Sequence, residues 1–152
     1  LYRRGGSFER IGDYETADKD LLESLNITRK NPYVLNYLAY SWLERNYKIE
    51  LSMEMLKEAY DLRKNDPYIT DSLGWGYYLI NDFENAEKYL KKAVELMPYD
   101  PIVNDHYGDI LWMLNRKIQA RYFWNNVLNL EETDDEMKID VKKKIIYGIE
   151  KT

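Results

Sequence analysis

The chain has 152 residues, of which 45% are apolar and none is cysteine, and its formal net charge at pH 7 is -5. This length and composition predict a single folded domain rather than a disordered segment. The negative charge argues against nucleic-acid binding that depends on phosphate neutralisation, because that needs clustered lysine and arginine. Without cysteine there is no disulfide framework, thiol nucleophile or thiolate metal site.

Hydrophobic periodicity and turn residues predict helices along the whole chain. Short polar breaks such as Arg45-Asn46, Asn81-Asp82 and Asn115-Arg116 separate pairs of them, which predicts antiparallel hairpins. In chain order the helices are expected near residues 1–10, 14–27, 32–45, 49–62, 67–79, 84–96, 101–113, 117–129 and 135–149.

A repeat of 34 or 35 residues runs through these helices. Asn31-Pro32, Asp66-Pro67 and Asp100-Pro101 recur at that spacing. Each pairs an N-cap side chain with a proline, whose missing N–H costs nothing in a first helical turn. Each of these pairs therefore predicts the start of a helix.

Small residues recur where the two helices of each unit should approach one another. Within the helices, glycine needs a packing reason, because it destabilises a helix by about 1 kcal/mol relative to alanine. We expect each small residue of a first helix to face a small residue of the second helix in the same unit. The expected pairs are Gly5 with Ala17, Ala39 with Ser52, Gly74 with Ala86, and Gly108 with Ala120.

The best unit resembles the tetratricopeptide repeat family, in which leucine-glycine, tyrosine, alanine, an apolar residue and proline follow at set intervals. Its matching residues are Leu73, Gly74, Tyr77, Ala86, Leu90, Ala93 and Pro98. The resemblance covers about residues 1–130, although alanine stands at 39 where glycine is usual, and Lys64 and Glu132 stand where proline is usual. Residues 71–75 and 105–109 resemble the C-terminal repeats of long bacterial members.

The resemblance implies an all-α, right-handed superhelical solenoid of about four hairpins with a C-terminal capping helix. Its units would be residues 1–30, 31–65, 66–99 and 100–133, followed by the cap at 134–152. The last segment has its apolar residues on one face and three lysines on the other. A cap that covers the end of the last hairpin is favoured over a membrane-binding or partner-binding amphipathic helix, because the apolar stripe is narrow and has few aromatic anchors. The stripe consists of Met137, Val141, Ile145 and Ile149.

In this family ligands usually lie on a concave surface lined by the first helix of each unit. Alignment of the units predicts an acidic and aromatic groove, which suits a basic or amphipathic segment of a partner protein. Aspartates also favour the first turn of a helix, so capping electrostatics is an alternative role for Asp71 and Asp105. The predicted groove residues are Asn36, Tyr37, Tyr40, Asp71, Trp75, Tyr78, Asp105, Asp109 and Trp112, whereas Trp42, Tyr77, Tyr89 and Trp124 are assigned to the interior.

Nothing in the sequence predicts catalysis, a metal or a cofactor. His106 is the single histidine, so there is no histidine pair for zinc, and no G-x-S-x-G elbow is present. Gly74-Trp75-Gly76 lies inside a predicted helix and is not a phosphate-binding loop. His106 is expected to be a polar surface residue near the groove.

The leading hypothesis is therefore a non-catalytic interaction module or scaffold that binds a protein or peptide. Alternatively, these repeats only cap or extend a longer solenoid whose binding site or catalytic domain lies upstream. The chain begins at Leu1 without methionine, which suggests a piece of a longer protein. No run approaches the roughly 20 apolar residues of a membrane span, so a soluble fragment is expected. Its parent would be cytoplasmic or exported to the bacterial periplasm, and the oligomeric state is left open.

Overall fold

The computed structural model describes residues 31–150, together with residue 19. Over residues 31–150 the chain forms seven α-helices and no strand, which confirms the predicted all-α class. Apart from residue 19, the two helices predicted before residue 31 lie outside the described residues. The observed helices are α1 (Pro32–Glu44), α2 (Ile49–Leu62), α3 (Pro67–Leu79), α4 (Phe83–Leu96), α5 (Pro101–Met113), α6 (Lys117–Asn129) and α7 (Asp135–Tyr147).

Three helices begin at the predicted asparagine-proline or aspartate-proline pairs. Asn31 Oδ1 accepts a hydrogen bond from the N–H of Tyr33 at 2.9 Å, and Asp66 Oδ1 accepts one from Tyr68 at the same distance. Asp100 Oδ1 accepts from the N–H of Val103 at 3.0 Å. These side chains satisfy N–H groups that have no partner within the helix, so they determine where α1, α3 and α5 start.

Each hairpin turn contains an asparagine in the left-handed region of backbone space. Asn46, Asn81 and Asn115 have φ values of 55°, 67° and 62°. Asparagine tolerates this conformation better than most residues, which explains its recurrence at this place. The predicted short polar connections are therefore confirmed.

The chain divides into two compact units, residues 1–64 and 65–152. In the first, α1 packs against α2, and Leu38, Trp42 and Leu56 are fully buried. In the second, α3 packs against α4 and α5 against α6, while α4 contacts α5 and α6 contacts α7. Successive hairpins of this second unit therefore share one continuous core.

Gly74 of α3 and Gly108 of α5 allow the two helices of each hairpin to lie close together. A Cβ added to Gly74 would lie 2.7 Å from Leu90 Cγ, and one added to Gly108 would lie 2.5 Å from Trp124 Cδ1. The predicted close approach is confirmed, but the nearest residue to Gly74 is Leu90 rather than Ala86. Side chains tilt along a helix, so the residue one turn beyond the small one fills the space above the glycine.

Helix α7 begins in register with the repeat. Asp134 Oδ1 accepts a hydrogen bond from the N–H of Met137 at 2.8 Å, and Asp134 lies 34 residues after Asp100. Val141 is fully buried, and the other members of the predicted stripe pack against the core of the second unit. The segment that departs from the family's sequence pattern thus starts as the first helix of a further repeat would.

Candidate protein-interaction site

The predicted groove residues of the second unit lie along α3 and α5. We call the surface formed by Tyr68, Asp71, Trp75 and Tyr78 on α3 and by Ile102, Asp105, Asp109 and Trp112 on α5 the first-helix face. Residues three, four and seven positions apart lie on one side of a helix, which places each set together. The three predicted residues on α1, in the other compact unit, are all half-buried: Asn36, Tyr37 and Tyr40.

Asp71 and His106 form a buried ion pair between α3 and α5. His106 Nδ1 lies 2.9 Å from Asp71 Oδ2 and 3.0 Å from Asp71 Oδ1. Only 6% of Asp71 and 7% of His106 are exposed. The prediction that His106 is a polar surface residue is therefore wrong, because its ring reaches from α5 to a carboxylate on the preceding first helix.

Three flat side chains stack beside this ion pair. The ring of Trp75 lies 4.0 Å from the imidazole of His106, with an angle of 12° between the planes. The ring of Tyr78 lies 4.5 Å from that of Trp75, with an angle of 9°. Trp75 remains half-buried, whereas Tyr78 is buried. Tyr78 therefore belongs to the interior of the first-helix face, and Trp75 remains partly open to solvent.

A second ionic cluster joins α5 to α7. Lys144 Nζ lies 2.9 Å from Asp105 Oδ1 and 3.0 Å from Asp109 Oδ1. Asp109 also accepts a hydrogen bond at 3.0 Å from the indole N–H of Trp124, a core residue of α6. The two aspartates predicted to receive a partner's cation are thus bound to a lysine of the same chain.

Trp112 anchors the residues that follow α7. Its indole N–H donates to the carbonyl oxygen of Ile149 at 3.1 Å. Gly148 has a φ of 72°, and a Cβ there would lie 2.0 Å from the Trp112 ring. Lys117 Nζ and Arg121 Cζ also lie 4.9 Å and 5.0 Å from the centre of that ring. Contacts within the chain therefore cover much of Trp112.

The environment of His106 favours its charged form. Burial would lower the pKa of His106, but the charge of Asp71 and the hydrogen bond to it act in the opposite direction, helped by Asp109 and Asp105. The result is a pKa above the ordinary value of 6.5. An opposite charge within about 4 Å commonly has this effect.

The pKa of Asp109 is raised from 3.8 to about 6, first by burial and then by the neighbouring charge of Asp105, against the attraction of Lys144. Burial would lower the pKa of Lys144, but Asp109 and Asp105 together raise it above 10.5. Burial raises the pKa of Tyr78, with Asp109 and Asp105 adding to the shift. Each of the three aspartates, Asp71, Asp105 and Asp109, therefore lies beside a cationic side chain that the chain itself supplies.

Two apolar side chains on the first-helix face remain open to solvent. Tyr68 is 58% exposed and Ile102 is 54% exposed. Each directly follows the proline that starts its helix, so the two occupy equivalent positions 34 residues apart. We did not predict them as site residues, although their recurrence after each proline was a usable signal.

The part of the chain that the structure describes contains no group of three or more histidine, aspartate or glutamate residues placed to hold a metal ion. Within the same residues, no helix combines the length and the apolar character needed to cross a membrane.

Residues 72–100 match the model of the tetratricopeptide repeat. This stretch begins within α3, includes all of α4 and ends at Asp100, the N-cap of α5. It therefore covers most of one helical hairpin and the segment that leads to the next. Residues 72–100 therefore carry one tetratricopeptide repeat. A TPR repeat-containing protein of Pseudomonas aeruginosa is 32% identical to it over 90 residues, which are 59% of this chain but only 15% of that relative. The predicted likeness to a long bacterial repeat protein is therefore confirmed.

Solved structures of other repeat proteins share the fold. MamA of Desulfovibrio magneticus has a TM-score of 0.73 at 20% identity, covering 88% of this chain and 75% of that one. PilF of Pseudomonas aeruginosa has a TM-score of 0.72 at 19% identity, covering 95% and 66%. The first TPR of Spaghetti (RPAP3), bound to the HSP90 peptide SRMEEVD, has a TM-score of 0.63 at 19% identity, covering 74% and 88%. These likenesses support the solenoid fold and leave the ligand of this chain open.

Proposed function

We propose that this chain is a non-catalytic interaction module that binds a short amphipathic segment of a partner protein on the first-helix face. Repeats of this kind generally serve as protein-interaction modules, because stacked hairpins expose an extended surface. The observation that carries the proposal is the exposure of Tyr68 and Ile102, equivalent residues of neighbouring first helices. Exposed apolar residues at equivalent places are what the apolar side of a partner segment would contact.

Charge on this face selects among partner segments. Three carboxylates, of Asp71, Asp105 and Asp109, are set against two cations, His106 and Lys144, so any excess charge is negative. A basic residue of the partner therefore binds by competing with Lys144 for Asp105, whose side chain remains 17% exposed. The anionic peptide SRMEEVD, which occupies the RPAP3 repeat domain, is disfavoured here because like charges repel.

The experiment is a binding screen with a library of 12-residue amphipathic peptides, with SRMEEVD as the anionic counter-probe. Hits are remeasured with Tyr68→Ser, Ile102→Ser and Asp105→Asn. We expect each apolar substitution to weaken binding about tenfold, as is typical when a contact residue is truncated. The matched control is Ile118→Ser, which changes an apolar residue of α6 that is 86% exposed and lies outside the first-helix face. Equal loss in the control, or no loss in the three variants, would contradict the proposal.

A second candidate function is that these repeats extend a longer solenoid, with binding or catalysis elsewhere in the parent. The supporting observation is on α7, where Ile139, Ile146 and Tyr147 are exposed at helical spacing. This chain also spans only a small part of its bacterial relative. Partner capture by the full parent but not by this chain would favour this candidate, and the parent reading frame would reveal any catalytic domain.

A further inference from the structure

A cavity of about 500 Å³ opens between α4, α6 and the segment that joins α4 to α5. None of its lining residues belongs to the first-helix face, so it is a separate feature of the second unit. Its volume lies within the range of sites that hold a small ligand or a large side chain. The residues that define it chemically are Glu95, Tyr99, Tyr122, Phe123 and Asn126.

Three aromatic rings contribute to the wall of this cavity. Tyr99 is 79% exposed and Tyr122 is 63% exposed. The ring of Phe123 lies 5.2 Å from that of Tyr122, at an angle of 84°. Tyrosine and phenylalanine faces carry partial negative charge and attract cations placed over them. Tyr99 and Tyr122 therefore offer exposed ring surface at this cavity that a cation can contact.

The negative charge of Glu95 in the cavity wall also favours a cationic ligand. Glu95 is the only ionisable lining residue apart from the tyrosines, and no lysine or arginine is present. Glu95 has no ion-pair partner among the described residues. Asn126 and Asn129, one turn apart on α6, add amide oxygens that accept hydrogen bonds. A cationic ligand can pair with this carboxylate and donate to these amide oxygens, whereas a neutral apolar ligand uses neither.

We propose that this cavity binds the side chain of an arginine presented by a partner protein. The planar guanidinium stacks on tyrosine faces while its N–H groups donate to a carboxylate and to amide oxygens, whereas an ammonium ion lacks the planar surface. The cavity therefore forms a second contact surface that works independently of the first-helix face.

The test is an NMR titration of the labelled 152-residue chain with N-acetyl-arginine-N-methylamide. The matched probe is the corresponding citrulline derivative, which has nearly the same shape and no charge. We expect the arginine probe to shift the signals of Tyr99, Tyr122 and Asn126 with millimolar affinity, and the citrulline probe to bind at least about fivefold more weakly. Equal binding of the two probes, or no shift with arginine, would overturn the proposal.

Three variants locate the probe. Tyr122→Leu keeps the apolar volume but removes the ring, and Glu95→Gln removes only the charge. Each should weaken arginine binding about two- to fivefold. Ile118→Leu, one turn earlier on α6, is the control and should leave the affinity unchanged. Loss in the control, or full affinity in both test variants, would place the probe elsewhere. Because these residues lie outside the first-helix face, this result is independent of the peptide screen.

Discussion

Two contacts of the second unit each pair an aspartate of a first helix with a cationic side chain, but the cation differs. Asp71 of α3 and Asp105 of α5 stand 34 residues apart, at equivalent places of successive first helices. Asp71 binds an imidazole from the next first helix, whereas Asp105 shares a lysine of α7 with Asp109. The equivalent carboxylate is thus paired each time with a cationic side chain from the second helix further along the chain, which is α5 for Asp71 and α7 for Asp105. Both contacts contain a group that titrates at or near neutral pH, which is the imidazole of His106 in the first and the Asp109 carboxyl, with a pKa of about 6, in the second.

The largest effect is expected from breaking the imidazole contact. His106→Ala leaves the Asp71 carboxylate buried and unpaired, which commonly costs about 3–5 kcal/mol of unfolding free energy. Urea denaturation measures the loss. Asp71→Asn combined with His106→Ala should recover part of it, since no unpaired charge then remains buried at this contact. A single variant as stable as the parent would show that the pair does not stabilise the fold.

Breaking the lysine contact should cost less, because Lys144 is more exposed than His106. Lys144→Met removes the cation but keeps the stem, so we expect a loss of roughly 1–3 kcal/mol. Lys143→Met is the matched control on the exposed side of α7 and should stay within about 0.5 kcal/mol. Similar losses in the two variants would mean that the Asp105–Asp109 cluster contributes nothing specific.

The two contacts should also differ in how stability depends on pH. The pKa of Asp109 is raised to about 6 in the folded chain, so the contribution of Asp109 is present at low pH and is lost as pH rises from 3.8 towards 6. The stabilising contribution of His106 is fully present below pH 6.5 and is lost as pH rises through the raised pKa of the folded chain. The imidazole then loses the charge that Asp71, Asp105 and Asp109 attract.

The midpoint of urea denaturation, measured from pH 4 to 9, tests whether stability changes with pH in these two directions. Asp109→Asn should flatten the change below pH 6, by roughly 2 kcal/mol in total. His106→Gln should flatten the change above pH 6.5. If Asp109→Asn instead flattens only the alkaline part, Asp109 does not titrate as described.

The smallest effect is expected at Trp75, whose ring stacks on His106. Trp75→Leu keeps apolar bulk but removes stacking on His106 and Tyr78, which should cost about 1 kcal/mol. The same variant should broaden or shift the imidazole NMR signals of His106, because the indole ring current is lost. Unchanged imidazole signals would show that the rings are not stacked in solution.

Helix positions were predictable from the sequence, whereas the pairing of polar side chains was not. The caps at Asp66 and Asp100 and the turn at Asn81 act within a few residues of chain, so local rules located them. The Asp71–His106 and Asp109–Lys144 pairs each join residues 35 positions apart on different helices. Their formation depends on how successive hairpins are rotated, which the repeat alone does not specify. For that reason the acidic groove residues were predicted, but their neutralisation within the chain was not.

The most direct measurement is the pKa of His106, followed by NMR in the parent chain and in Asp71→Asn. If Asp71 holds the imidazole in its charged form, the pKa lies above 6.5 in the parent and is lower in the variant, where only Asp109 and Asp105 still oppose the effect of burial. A pKa at or below 6.5 in the parent, or the same value in both proteins, would contradict the claim that this chain neutralises its own first-helix aspartates.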